Sequence, residues 1–77
     1  MENTLVELAA ALRERLTIIG DAESRRDEAR HMRRLQDVSE QIERLATQLP
    51  ASADPQLRHF LARRSYSKAL ELLESTL

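Results

Sequence analysis

Four polar residues in the first half of the chain have types and a spacing that could support chemistry. They are Ser24, Asp27, Glu28 and His31, within the stretch SRRDEARHMRRL. Glu28 and His31 have the Glu-x-x-His spacing used in di-iron helical bundles. Ser24, Asp27 and His31 are residue types found in nucleophile and base relays. On one continuous helix, however, Ser24 and His31 would lie about 10 Å apart along the axis, which is too far for a direct relay.

The same four residues fit a polar interaction patch better than an active site. Asp27 and His31 are one helical turn apart and can pair. Polar residues on an otherwise apolar seam commonly fix the pairing register of helices. Metal ligation lacks supporting carboxylates, because Glu7 and Glu14 point away from the apolar stripe of their own predicted helix. We therefore predict no catalytic residue, no metal site and no cofactor, and a patch that faces helix one or a second subunit.

Local clusters of arginine and lysine suggest an alternative function, nucleic-acid binding. The candidate basic patch consists of Arg26, Arg30, Arg33, Arg34, Arg63, Arg64 and Lys68. The chain as a whole has 12 basic and 13 acidic residues, so it lacks the overall positive field of most nucleic-acid-binding proteins. Between Asp21 and Arg34, five arginines are interspersed with four acidic residues. We expect a solvated, ion-paired surface there rather than a phosphate-binding one.

The elements that must position these residues are helices. Thirteen leucines, ten alanines and eleven arginines accompany one glycine and two prolines, a composition that predicts an all-α fold. The predicted helices span about 4–19, 22–49, 55–63 and 66–76 within a single domain. We expect a small bundle of three to four helices, with a long central helix two and a short C-terminal helical hairpin.

Helix boundaries and faces follow from caps and spacing. Helix one is expected to begin at Asn3 or Thr4, because Thr4 and Glu7 have capping-box form. Gly20 is expected to stop it in the left-handed conformation, and Asp21 can then cap helix two. The alternative is one unbroken long helix, because glycine costs only about 1 kcal/mol inside a helix. Pro50 ends helix two, and Asp54 followed by Pro55 begins helix three. Two apolar stripes are predicted, one on helix one (Leu5, Leu8, Leu12, Leu16, Ile19) and one on helix two (Leu35, Val38, Ile42, Leu45, Leu49).

One segment has a local family resemblance. The stretch RRSYSKALELLESTL resembles the second helix of a tetratricopeptide repeat, with Tyr66 and Ala69 at the matching spacing. The preceding helix lacks the tryptophan, glycine and tyrosine pattern of that repeat, and a single unit cannot stack as such arrays do. No family is assigned on this basis.

The small size of the chain favours an interaction role. A chain of 77 residues without cysteine has few aids to stability besides helix packing and self-association. Leu70, Leu72, Leu73 and Leu77 form a candidate apolar interface. We predict a non-catalytic interaction or assembly module whose partner is a second copy, as in a homodimer, or another helical protein. The alternative is a small nucleic-acid-binding regulator. A signal peptide and a long apolar run are not apparent, so we expect a cytoplasmic protein with no membrane partner.

Overall fold

The fold is all-α, as the composition predicted. A computed structural model describes residues 3–76, which form four α-helices and no strand. The helices are α1 (Thr4–Gly20), α2 (Glu28–Thr47), α3 (Pro55–Ala62) and α4 (Tyr66–Thr76), and a 3₁₀ turn at Ser24–Arg26 precedes α2. Helix α1 packs against both α2 and α4, and α3 packs against α4. None of the helices in this described part has the length and apolar character needed to cross a bilayer.

Helix α1 begins at Thr4, as predicted, and ends one residue after the predicted Ile19. Asn3 is the N-cap, because its Oδ1 accepts hydrogen bonds from the N–H groups of Leu5 and Val6 at 3.1 and 3.4 Å. The predicted left-handed conformation at Gly20 is wrong, since Gly20 has no positive φ and belongs to the helix. The guanidinium of Arg25 then binds the carbonyl of Ile19 near the helix end.

Helix α2 begins six residues later than the sequence pattern predicted. The Oδ1 atom of Asp21 accepts the N–H groups of Glu23 and Ser24 at 3.1 and 3.2 Å, which holds the linker in a turn. Asp27 adopts an extended conformation, and its Oδ1 accepts the N–H of Arg30 at 3.2 Å as the N-cap of α2. The two aspartate side chains thus offer the backbone a better alternative to helix between residues 22 and 27.

The core lies between α1, α2 and the pair α3–α4. The helix-two stripe is confirmed from Val38 to Leu49, whose members are buried, whereas Leu35 is partly buried. The helix-one stripe is only half correct. Leu8 and Leu12 are buried, but Leu16 and Ile19 are 44% and 38% exposed. The buried residue near the end of α1 is instead Ile18, at 1% exposure.

Two sets of hydrogen bonds hold the C-terminal helices in place. Arg58 is exposed, and it donates from Nη2 to the carbonyls of Leu49 and Pro50 and so ties α3 to the chain leaving α2. At the end of α3, Arg64 has a φ of 58°, in the left-handed region. The N–H of Ser65 binds the carbonyl of Phe60 at 2.8 Å, which completes the tight corner into α4.

Candidate functional site

Two of the four residues of the predicted polar patch, Ser24 and His31, are in contact. With Asp21 and Arg34 they form a cluster that we call the polar clasp. Nδ1 of His31 lies 3.0 Å from Oγ of Ser24, and Nη1 of Arg34 donates to the same oxygen at 2.8 Å. Nη1 of Arg34 also reaches Oδ2 of Asp21 at 3.4 Å. The clasp therefore joins the linker after α1 to the first turns of α2.

The short distance from Ser24 to His31 overturns the separation of about 10 Å expected for one continuous helix. Because α2 begins at Glu28, Ser24 lies in the 3₁₀ turn, which folds back over the first turns of α2. A serine hydroxyl has one donor and two acceptor positions, so it can bind the imidazole and the guanidinium together. This arrangement holds the linker in place.

The carboxylate of Asp21 has a lowered pKa. The main cause is the hydrogen bond from the backbone N–H of Ser24, and the side chain of Arg34 and the backbone N–H of Glu23 contribute further. Partial desolvation opposes these effects without cancelling them. Asp21 therefore stays ionised at neutral pH, which suits its role as the acceptor of the clasp.

The other two members of the predicted patch lie outside the clasp. Asp27 does not form the predicted side-chain pair with His31, because its carboxylate caps α2 through the N–H of Arg30. Glu28 is exposed in the first turn of α2, where a negative charge suits the helix dipole. Within residues 3–76, His, Asp and Glu side chains do not gather in groups of three that could hold a metal ion.

The seven basic residues of the candidate patch do not form one surface. Arg34 is half-buried in the clasp, whereas Arg26 lies in the 3₁₀ turn rather than on α2. Arg30 and Arg33 are exposed and share a shallow cavity with Asp27 and Asp37. The charges there are mixed in sign, as the sequence indicated.

The remaining three basic residues lie at the other end of α2. Nη2 of Arg64 forms an ion pair with Oε1 of Glu43 at 3.1 Å, and both side chains are mostly exposed. Glu43 is about 15 Å along the helix axis from Arg33. Arg63 and Lys68 flank the corner and are exposed. The two basic groups are therefore separate.

The candidate apolar interface on α4 is largely part of the core. Leu70 and Leu73 are 5% and 2% exposed within the single chain. Leu72 is half-buried and packs against the core. Leu77 lies outside the described residues. The first two leucines therefore offer a partner almost no surface, because α1 and α3 already cover α4.

Exposed apolar side chains instead occur near the linker end of the α1–α2 hairpin. We call this surface the apolar ledge: Leu16 and Ile19 of α1 and Met32 of α2, which are 44%, 38% and 63% exposed. Leu16 and Ile19 have the same helical phase as the buried Leu8 and Leu12, at about 100° per residue. They are exposed because the face of α1 beyond Arg15 is left uncovered.

Contacts at the start of α4 show how far α4 covers the apolar stripe of α1. Tyr66 is the first residue of α4, and the guanidinium of Arg15 lies 4.8 Å from the centre of its ring. The stripe residues before Arg15 are buried or partly buried, whereas those after it, Leu16 and Ile19, are exposed. The sequence showed the apolar stripe, but the point where α4 meets α1 could be read only from the structure.

Helical phase assigns the exposed side chains of the ledge to one side of the hairpin. On the opposite side of the hairpin from the ledge, Arg34 of α2 shares a cavity with Glu14 and Ile18 of α1. Helical phase places Met32 on the flank of α2 away from Arg34, and Leu16 on the flank of α1 away from Glu14. The hairpin thus has a polar side, near the clasp, and an apolar side that carries the ledge.

A separate apolar groove opens between α2, α3 and the start of α4. Its volume is about 360 Å³. The apolar walls come from three helices and the loop after α2, namely Ile42, Ala46, Leu49, Leu61 and Tyr66. Arg58 and Glu43 provide charged groups at the groove. Sequence inspection missed this site, because its walls belong to elements that are distant along the chain.

Comparison of the chain with protein-family models, curated proteins and solved structures gives no match, so the fold and these surfaces carry the functional interpretation alone.

Proposed function

We propose that this chain is a non-catalytic helical interaction module that self-associates through the apolar ledge. The observation that carries the proposal is the exposure of three large apolar side chains on one side of the hairpin: Leu16, Ile19 and Met32. Burial of such groups against a second copy removes apolar surface from water, which is the main favourable term in protein association.

The location of the ledge also supports a second copy as the partner. Leu16 and Ile19 extend the phase of the stripe that buries Leu8 and Leu12, so a helix of another subunit can pack there much as a helix of the same chain packs further along. A small domain gains stability in this way, because its own core is limited.

A non-catalytic role is supported by the polar clasp. Ser24, the hydroxyl in contact with His31, also accepts a hydrogen bond from Arg34. These bonds fasten the linker to α2 and so give the three side chains a role in folding. The nucleic-acid alternative gains no comparable support, because Arg30 and Arg33 are interspersed with aspartates.

The test is the mass of the protein in solution as a function of concentration, measured by analytical ultracentrifugation. We expect the mass of the wild type to rise with concentration. A variant with Leu16→Gln, Ile19→Gln and Met32→Gln is expected to stay monomeric. Val6→Gln is the matched control, because Val6 is 49% exposed on α1 but lies at the opposite end of the hairpin.

Salt provides an independent discriminator. Apolar association persists as salt rises, whereas association through arginines weakens steeply. The proposal is wrong if the wild type is a monomer at all concentrations, if the control substitution at Val6 disrupts association as strongly as the triple change, or if moderate salt abolishes it.

A further inference from the structure

We propose that the apolar groove between α2, α3 and α4 binds a small amphiphilic carboxylate, with the apolar tail against the groove walls and the carboxylate on Arg58. This site is distinct from the apolar ledge, so it does not depend on the proposed self-association.

The groove has the size and lining of a small-molecule site. Its volume of about 360 Å³ lies within the range of ligand pockets, about 300–1,000 Å³. Ile42, Leu49 and Leu61 supply aliphatic walls, and Ala46 leaves room because its side chain is small. Tyr66 adds an aromatic face at the start of α4. An alkyl or aryl tail fits this lining, whereas a strongly polar ligand does not.

Arg58 supplies the complementary charge. Its Nη2 is already bound to the carbonyls of Leu49 and Pro50, which fixes the position of the guanidinium. A guanidinium has five N–H donors, so Nη1 and Nε have donors left for a ligand. Within residues 3–76, carboxylates do not lie within ion-pair distance of Arg58, and the neighbouring Glu43 is paired with Arg64. These two donors point in different directions, so each can donate a single hydrogen bond to a carboxylate, whose charge also complements that of the guanidinium.

Octanoate is a suitable probe, and backbone amide NMR shifts are a suitable readout. We expect saturable binding in the millimolar range or tighter, with the largest shifts at Ala46, Leu49, Leu61 and Tyr66. Octylammonium carries the same tail with the opposite charge and is expected to bind about tenfold more weakly or not at all. Octanol, which lacks a charge, is expected to lie between the two.

Two pairs of variants locate the tail and the head of the ligand. Ala46→Phe fills the groove and is expected to abolish octanoate binding. Ala29→Phe makes the same change at an exposed position of α2 outside the groove and is expected to leave binding intact. Arg58→Gln is expected to remove the preference for octanoate over octylammonium, whereas Arg58→Lys retains part of it. Circular dichroism checks that each variant folds.

Three results would overturn the proposal. Shifts that remain linear with octanoate concentration would indicate no site. Equal affinity for octanoate and octylammonium in the wild type would exclude a role for Arg58. Shifts confined to Leu16, Ile19 and Met32 would mean that the probe acts as a detergent on the apolar ledge, and in that case self-association could still be correct.

Discussion

The corner between α3 and α4 offers a sharp test of the backbone that builds the groove. Arg64 has a φ of 58°, a conformation that glycine adopts freely and other residues adopt at a cost. Its N–H binds the carbonyl of Leu61 at 3.1 Å, and the N–H of Ser65 binds that of Phe60. This pair of bonds is the Schellman motif, which places Tyr66 at the start of α4 and hence at the groove.

The expected effect of Arg64→Gly follows from three contributions. A left-handed conformation costs a residue with a Cβ atom about 1–2 kcal/mol, and glycine relieves that cost. The greater freedom of glycine in the unfolded chain offsets about 0.4–1 kcal/mol of the gain. Loss of the exposed ion pair with Glu43 removes at most about 0.2–1 kcal/mol. Arg64→Ala loses the same ion pair but retains the strain, so it is the matched control.

We therefore expect the glycine variant to be more stable than the alanine variant by about 1 kcal/mol, and the wild type to lie between them or close to the glycine variant. For a domain of this size, that difference corresponds to about 4–8 °C in Tm. Urea and thermal unfolding followed by circular dichroism would measure it. Equal stability of the two variants, with unchanged denaturant dependence, would show that residue 64 is not held in the left-handed region.

Three further predictions concern the helices and the clasp. Leu12→Ala should destabilise the fold by about 2–5 kcal/mol because Leu12 is 1% exposed, whereas Leu16→Ala should cost below about 1 kcal/mol in the monomer; similar losses in urea unfolding would contradict the burial pattern. Gly20→Ala should raise the stability by about 0.5–1 kcal/mol, since a Cβ there meets nothing within 4 Å and φ is not positive, and a lower Tm would refute this. The folded pKa of Asp21 is lowered, so its contribution to stability is present above its unfolded pKa and is lost as pH falls through the folded value. Asp21→Asn should therefore flatten the loss of stability below about pH 4, and an unchanged pH profile would exclude this role.

Local sequence rules predicted the helices well because most of their signals are local. Asp54 caps α3 through the N–H of Gln56 at 2.8 Å, with Pro55 in the first turn, as the sequence indicated. The buried positions of α2 follow from the spacing of Val38 and Ile42. The predicted start of α2 at Ala22 was wrong because Asp21 was taken as the helix cap, whereas in the fold Asp21 holds a turn and Asp27 is the N-cap.

The candidate surfaces were less predictable because they depend on contacts between distant segments. The sequence placed Ser24 and His31 on one helix, yet their contact arises from the break in that helix. The spacing of Leu70 and Leu73 fits a subunit interface as well as it fits the core of a single chain. The packing of α4 against α1 and α3 shows that they belong to the core. Periodicity shows which side chains share a face, but it does not show what covers that face.

The polar clasp and the apolar ledge occupy the same end of the hairpin, so the self-association that we propose depends on how this end folds. Arg34 ties Ser24 and Asp21 to α2, and Arg25 ties the linker to the end of α1. The backbone that presents Ile19 is therefore held in place by contacts within the single chain. Because the entropy loss of ordering the linker occurs on folding, association through the ledge incurs mainly the loss of overall motion and of side-chain freedom. A small ledge can then support reversible self-association, provided that the linker stays fastened.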